Sequence, residues 1–255
     1  MALLVVLAVS QAAGLAGIAI LVAAGGEPFP GVGDLLPAAF GGAAGMVALA
    51  AFYRGLAIGT MSIVAPISAT GAAVPVLVGL STGDRPGPAV VVGIAVALAG
   101  VVLAAREEAP ESTAAAELAR RSVVLALVAA VGFGAFFVGM DASAGEAGVL
   151  WALLGARIAS FSLIAAAVLV ARPAVPGDPR LLGLLVGIGL LDLGANGCFA
   201  AATNEGLLSV ASVLGSLYPL VTVLLARLVL GERVRRIQEL GIAAALIGVV
   251  LIAAG

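Results

Sequence analysis

Apolar residues run along this chain in blocks of about twenty, separated by short polar stretches. A helix of that length crosses the hydrocarbon core of a bilayer. Nine such blocks are legible. The first runs from about Ala2 to Ala24 and ends at Gly25-Gly26-Glu27-Pro28. The second runs from about Leu35 to Leu56, after Asp34. The third spans Thr60 to Leu80 and stops at Thr82-Gly83-Asp84-Arg85-Pro86, and the fourth spans Pro88 to Ala105. A charged stretch follows, with Arg106, Glu107, Glu108, Glu111, Glu117, Arg120 and Arg121. The fifth block runs from Val123 to Met140 and the sixth from Val149 to Ala171. A proline-rich connector leads to the seventh, Leu181 to Thr203. The eighth spans Leu207 to Leu230 and the ninth Ile237 to Ala254. The fold predicted is all-α, a polytopic transmembrane helix bundle with nine spans.

Composition strengthens that picture. Of 255 residues, 63% are hydrophobic and 10% charged, and mean hydropathy is +1.26. A soluble domain carries about a quarter charged residues. The first block lacks a positive leader region, which argues against a cleaved signal peptide. Every one of the twelve cations is Arg, and there is no His. His-ligated zinc and His-based nucleophilic catalysis are thereby excluded, and no metal or other cofactor is expected. Cys198, alone in an apolar stretch, reads as a small buried hydrophobe. A net charge of −2 gives no reason to expect nucleic acid.

Arginines predict sidedness. If each block spans, one side carries Arg54, Arg106, Arg120, Arg121, Arg172, Arg180, Arg233, Arg235 and Arg236. The other carries Arg85. The Arg-rich side is expected in the cytoplasm, which puts the first residue inside and the C-terminus outside.

The chain also repeats itself. Gly83-Asp84-Arg85, Gly93-Ile94-Ala95 and Gly100-Val101-Val102-Leu103 recur as Gly231-Glu232-Arg233, Gly241-Ile242-Ala243 and Gly248-Val249-Val250-Leu251. Five spans separate each element from its copy, and an odd number reverses its sense across the membrane. The halves are therefore expected to be inverted repeats, at 1–106 and 121–255, joined by a charged linker at 107–120. Secondary transporters recurrently use that plan, with substrate sites near the midplane.

Phe52-Tyr53-Arg54-Gly55-Leu56-Ala57-Ile58-Gly59 followed by Ser62-Ile63-Val64-Ala65-Pro66-Ile67 resembles one half of EamA-type transporters of the drug/metabolite transporter superfamily. Ser209-Val210-Ala211-Ser212 through Tyr218-Pro219, Thr222 and Gly231-Glu232-Arg233 resembles the other half. The resemblance implies secondary-active transport of small metabolites or amphipathic compounds by alternating access, as an exporter. It also implies ten helices as five plus five, where four plus five are read here. The expectation is a natural start upstream of Met1, the alternative a nine-helix variant. The partners implied are a small-molecule substrate, the lipid bilayer and protons, with a homodimer left open. The expected location is a bacterial inner membrane.

Intramembrane charge is costly and marks candidate sites. Asp192 lies mid-block, with Asn196 one turn later on the same face, and Arg157 lies inside the sixth block. Two readings stand side by side: Asp192 and Arg157 approach one another beside a cavity and Asp192 exchanges a proton that couples export to proton entry, or the polar groups form a structural clasp between neighbouring helices. Ser216, Tyr218, Thr222, Ser68 and Gln11 are further substrate candidates. Pro66, Pro75 and Pro219 are helix-break candidates, tolerated where backbone is buried or lines a cavity. Trp151 reads as an interfacial anchor. Three glycine pairs at four-residue spacing, Gly41/Gly45, Gly55/Gly59 and Gly183/Gly187, suit close helix contact. Two other functions compete. One is a non-transporting partner subunit. The other is an intramembrane protease, from the string Gly31-Val32-Gly33-Asp34, although Asp34 lies between helices and no helix carries the Tyr-Asp partner that chemistry needs.

Overall fold

The computed structural model describes residues 3–59, 61–104, 113–174, 178–215, 218, 221 and 236–254. Among them are ten α-helices and no strand. They are α1 (Leu3–Gly25), α2 (Val32–Ile58), α3 (Met61–Ala69), α4 (Ala73–Thr82), α5 (Pro88–Ala104), α6 (Thr113–Ala147), α7 (Val149–Ala171), α8 (Pro179–Glu205), α9 (Leu208–Gly215) and α10 (Arg236–Ala254). Five helical stretches, in α1, α2, α6, α7 and α8, are long and apolar enough to cross a membrane, and shorter apolar helices accompany them. Val170 is 87% exposed and Leu191 77%, an arrangement that lipid solvates and water does not. The fold is all-α and polytopic.

The chain divides into two compact units, Met1–Ala50 with Ala135–Glu205 and Ala51–Gly134 with Gly206–Gly255. Each joins an early and a late segment, and the boundaries fall inside α2 and α6. In the first unit α1 packs against α7 and α8, around Leu7, Ile18 and Met140, none of them exposed. The α1–α8 crossing is a backbone contact. A Cβ on Gly189 would lie 2.1 Å from the Ser10 carbonyl oxygen. Pro37 lies inside α2, and the N–H of Ala38 donates to the Ser143 hydroxyl at 2.8 Å. A side chain from α6 thus serves the backbone beside a proline, as lipid demands.

In the second unit α10 packs along α5, α4 against α9, and α3 against α5. Val76, Val90, Ile94, Ala97 and Val213 form its core. The two helices matched by the sequence repeat, α5 and α10, meet where Gly248 lies over Ala97 and the Gly93 carbonyl.

Three expectations change. The third block is not one helix: α3 and α4 are separated by a 3-10 turn at Thr70–Ala72. Pro75 lacks the N–H that the Gly71 carbonyl would accept from. Residues 113–120, the later part of the stretch read as linker, open α6, because an alanine run there favours helix. Glu117 braces it, accepting from Arg120 Nε at 3.0 Å and Arg121 Nε at 2.8 Å. Cys198 is exposed rather than buried, on a helix that also exposes Leu184, Leu190 and Leu191. Of the glycine pairs, Gly41/Gly45 meets Phe136 and Gly55/Gly59 meets Ser122 and its neighbours. A Cβ on Gly183 or Gly187 would touch nothing within 4 Å.

Helix ends follow local chemistry. Gly83 takes φ 124° after α4, and the N–H groups of Gly83 and Asp84 both return to the Gly79 carbonyl, a glycine stop that satisfies terminal acceptors. Gly148 takes φ 81° between α6 and α7.

Candidate functional site

In the first unit a polar cluster forms where α1, α7 and α8 meet. Arg157 on α7 is 5% exposed. Its NH1 donates to Gln11 Oε1 of α1 at 2.8 Å. Its NH2 donates to Asp192 Oδ2 of α8 at 2.5 Å, completing an ion pair. The Ser160 hydroxyl, one turn after Arg157, lies 3.0 Å from Gln11 Oε1 and 3.2 Å from the Arg157 carbonyl. Asn196 Nδ2 is 3.4 Å from the same Asp192 oxygen. The guanidinium fits because Gly14, one turn after Gln11, has no side chain: a Cβ there would lie 3.2 Å from Arg157 Cζ.

The pair is lopsided. The Arg157 side chain is 6% exposed and the Asp192 side chain 42%. Asp192 uses one carboxylate oxygen, so the paired planar fork typical of Arg with carboxylate is not made. Replacing a lone buried charge's partner is costly, so the open carboxylate holds the buried cation in place.

In the second unit the polar cluster is neutral. The hydroxyls of Ser68 on α3 and Tyr218 are hydrogen-bonded to each other. Ser68 also lies 2.7 Å from the Ala65 carbonyl. The Phe52 ring stands edge-on to Tyr218 at 6.0 Å and 88°. The 3-10 turn follows two residues after Ser68, with Pro66 inside α3 and Pro75 inside α4. Asp84 Oδ2 accepts the Ser209 N–H at 2.9 Å. A carboxylate from the loop after α4 thereby caps α9, where negative charge suits the helix dipole.

Arg157, Asp192, Asn196 and Gln11 are brought together, and Ser68 with Tyr218. Ser216, Thr222 and Pro219 lie outside the described residues, as does Gly231-Glu232-Arg233. Trp151, in the first turn of α7, is edge-on to Phe29 at 5.3 Å. Ser160, Gly14 and Gly189 went unread in the sequence. Ser160 was within reach, since i and i+3 share a helix face, whereas the glycines needed the crossing geometry. Among the described residues no group of three metal-ligating side chains forms.

The family model for the EamA-like transporter family matches residues 120–254. A comparison with curated proteins gave no match. A chain of 18% identity, described only as the crystal structure of a protein, has the same fold. It superposes with a TM-score of 0.72 over 98% of this chain and 87% of its own.

Proposed function

The chain belongs to the EamA-like transporter family, and from that premise we propose that it is a secondary-active exporter of small metabolites or amphipathic compounds. It works by alternating access, and Asp192 couples it to protons. The observation that carries the reading is the ion pair inside apolar helices, with Arg157 buried and Asp192 half-open. Charges at such depth are costly and belong to substrate and ion pathways. The repeat of Gly83-Asp84-Arg85 as Gly231-Glu232-Arg233 supports an inverted-repeat architecture with halves at 1–106 and 121–255. Arginine asymmetry supports placement in a bacterial inner membrane with the Arg-rich loops facing the cytoplasm. The neutral pair of Ser68 and Tyr218, beside an interrupted helix, serves as a second polar contact for substrate.

Proteoliposomes with an imposed pH gradient and a panel of labelled metabolites test this. Asp192→Asn should retain facilitated flux and lose its acceleration by the gradient. Gradient dependence equal to the wild type, at equal protein incorporation, would remove Asp192 from coupling. No flux of any compound would remove the exporter.

A further inference from the structure

The charge balance around Arg157 constrains what the site can admit. Among the described residues its N–H groups reach two acceptors, Gln11 Oε1 and one oxygen of Asp192, out of the five N–H donors a guanidinium carries. Gln11 is held from both sides, by Arg157 and Ser160. Asp192 is held at one oxygen and is the exposed partner. Among the described residues of the helices that meet at the site, no other titratable group lies close. The described part of α1 carries none, and α7 carries Arg157 alone. On α8, Arg180 and Glu205 stand at the helix ends, about 18–20 Å along the axis from Asp192 at 1.5 Å per residue. Cys198, also on α8, is exposed. Asp34 is in the first turn of α2 and makes no ion pair with Arg157. On α6, Asp141 and Glu146 lie toward the end where Asn204 reaches the Ala144 carbonyl, a level about 13 Å or more from Asp192 by the same rise.

We propose that Asp192 is a tethered stand-in for a substrate carboxylate, and that a small organic anion takes its place on Arg157 as Asp192 takes up one proton. This rests on the transporter reading above and names its substrate class. The balance closes. Before exchange the site holds one guanidinium and one carboxylate. Afterwards it holds the guanidinium, the bound anion and a neutral Asp192 carboxyl, again with no net charge. An anion arriving without the proton would leave a surplus negative charge in a low-dielectric setting, and a cation would leave a surplus positive one. Either is costly. Freed of Asp192, the guanidinium can donate to both oxygens of an incoming carboxylate in the fork geometry that Asp192 does not use. The proton then travels with the substrate, and not against it as the sequence suggests.

The test is calorimetry on the purified full-length chain in detergent, titrated with L-lactate, pyruvate and benzoate, with lactamide as the uncharged control. Running each titration in two buffers of different ionisation enthalpy counts the protons taken up. One proton should be taken up per anion, with lactamide silent. The apparent Kd should rise about tenfold for each unit by which pH is raised wherever one proton is taken up per anion, since protonation and binding are linked. Asp192→Asn should bind the anion with no proton uptake and no pH dependence. Arg157→Gln should not bind it. Anion binding by the wild type without proton uptake overturns the proposal, whatever the variants do. So does silence toward all three anions, or proton uptake that survives in Asp192→Asn. Counterflow of labelled lactate in proteoliposomes is read separately. Flux without proton uptake sinks the exchange and spares the transporter, whereas proton-linked binding without flux of any compound sinks the transporter and spares the exchange site.

Discussion

The polar cluster of the first unit holds a full positive and a full negative charge, and that of the second holds neither. Both sit within apolar helices and both join side chains from the early and late parts of the chain. In the charged cluster the burial is uneven: Arg157 is enclosed and Asp192 is open. In the neutral cluster Ser68 is 1% exposed, and each hydroxyl already has a partner. A closed neutral pair can hold helices together and offer substrate a polar contact, but it has no charge to exchange. An open charged pair remains energetically committed to whatever replaces its exposed half.

The strongest way to break this contrast is to remove the exposed charge. Asp192→Leu strands Arg157 and should cost about 3–5 kcal/mol, read by detergent-titrated unfolding followed by circular dichroism. Adding Arg157→Leu should recover most of it. A loss below about 1 kcal/mol would make the pair equivalent to a solvated surface bridge. Next come the glycines that hold each unit's crossing. Gly189→Val meets Ser10 backbone in the first unit, and Gly71→Val meets Ala130 backbone in the second. Both should lose about 1–3 kcal/mol or somewhat more from overpacking. Equal losses would show that the units differ in charge and not in tightness. A third step trims the neutral pair: Tyr218→Phe should cost about 0.5–1.5 kcal/mol, with no change in the pH dependence of transport. A pH effect there would erase the distinction. The smallest change is Gly183→Ala, where a Cβ meets nothing. It should gain roughly 0.5 kcal/mol from helix propensity alone, and a loss would reveal an unseen neighbour.

Much of the fold was readable because hydrophobic block length is a one-dimensional signal. α7 spans Val149–Ala171, the bounds its apolar run predicts, and α1 and α8 fall within two residues of theirs. Block length carries no azimuth, however. It could not say that Cys198 faces outward, that Gly183 faces nothing while Gly189 touches Ser10, or that Ser143 would serve the Ala38 N–H. Charge was more informative than shape. Arg157, Asp192 and Gln11 stood out because polar groups in apolar runs need partners, and the partners proved to be one another. The interruption at Thr70–Ala72 was signalled by Pro66 and Pro75, though hydropathy ran through it. The charged stretch was read only as a linker between halves, because charge density alone does not show that Glu117, Arg120 and Arg121 pair along a helix.

The partnership of Gln11 with Arg157 also has a history in time. The two are 146 residues apart, which at a synthesis rate of about 5–20 residues per second separates their emergence by roughly 7–30 s. The Gln11 amide therefore enters the bilayer long before its guanidinium exists. When α7 follows, Arg157 arrives with a neutral acceptor already waiting, and its counter-charge is still 35 residues behind. An arginine at mid-helix taxes insertion by about 2.5–3.5 kcal/mol. α1 thus acts as a receiving dock that lets α7 enter the membrane before α8 can neutralise it, and a Gln11→Leu chain should be caught at the translocon with α7 outside.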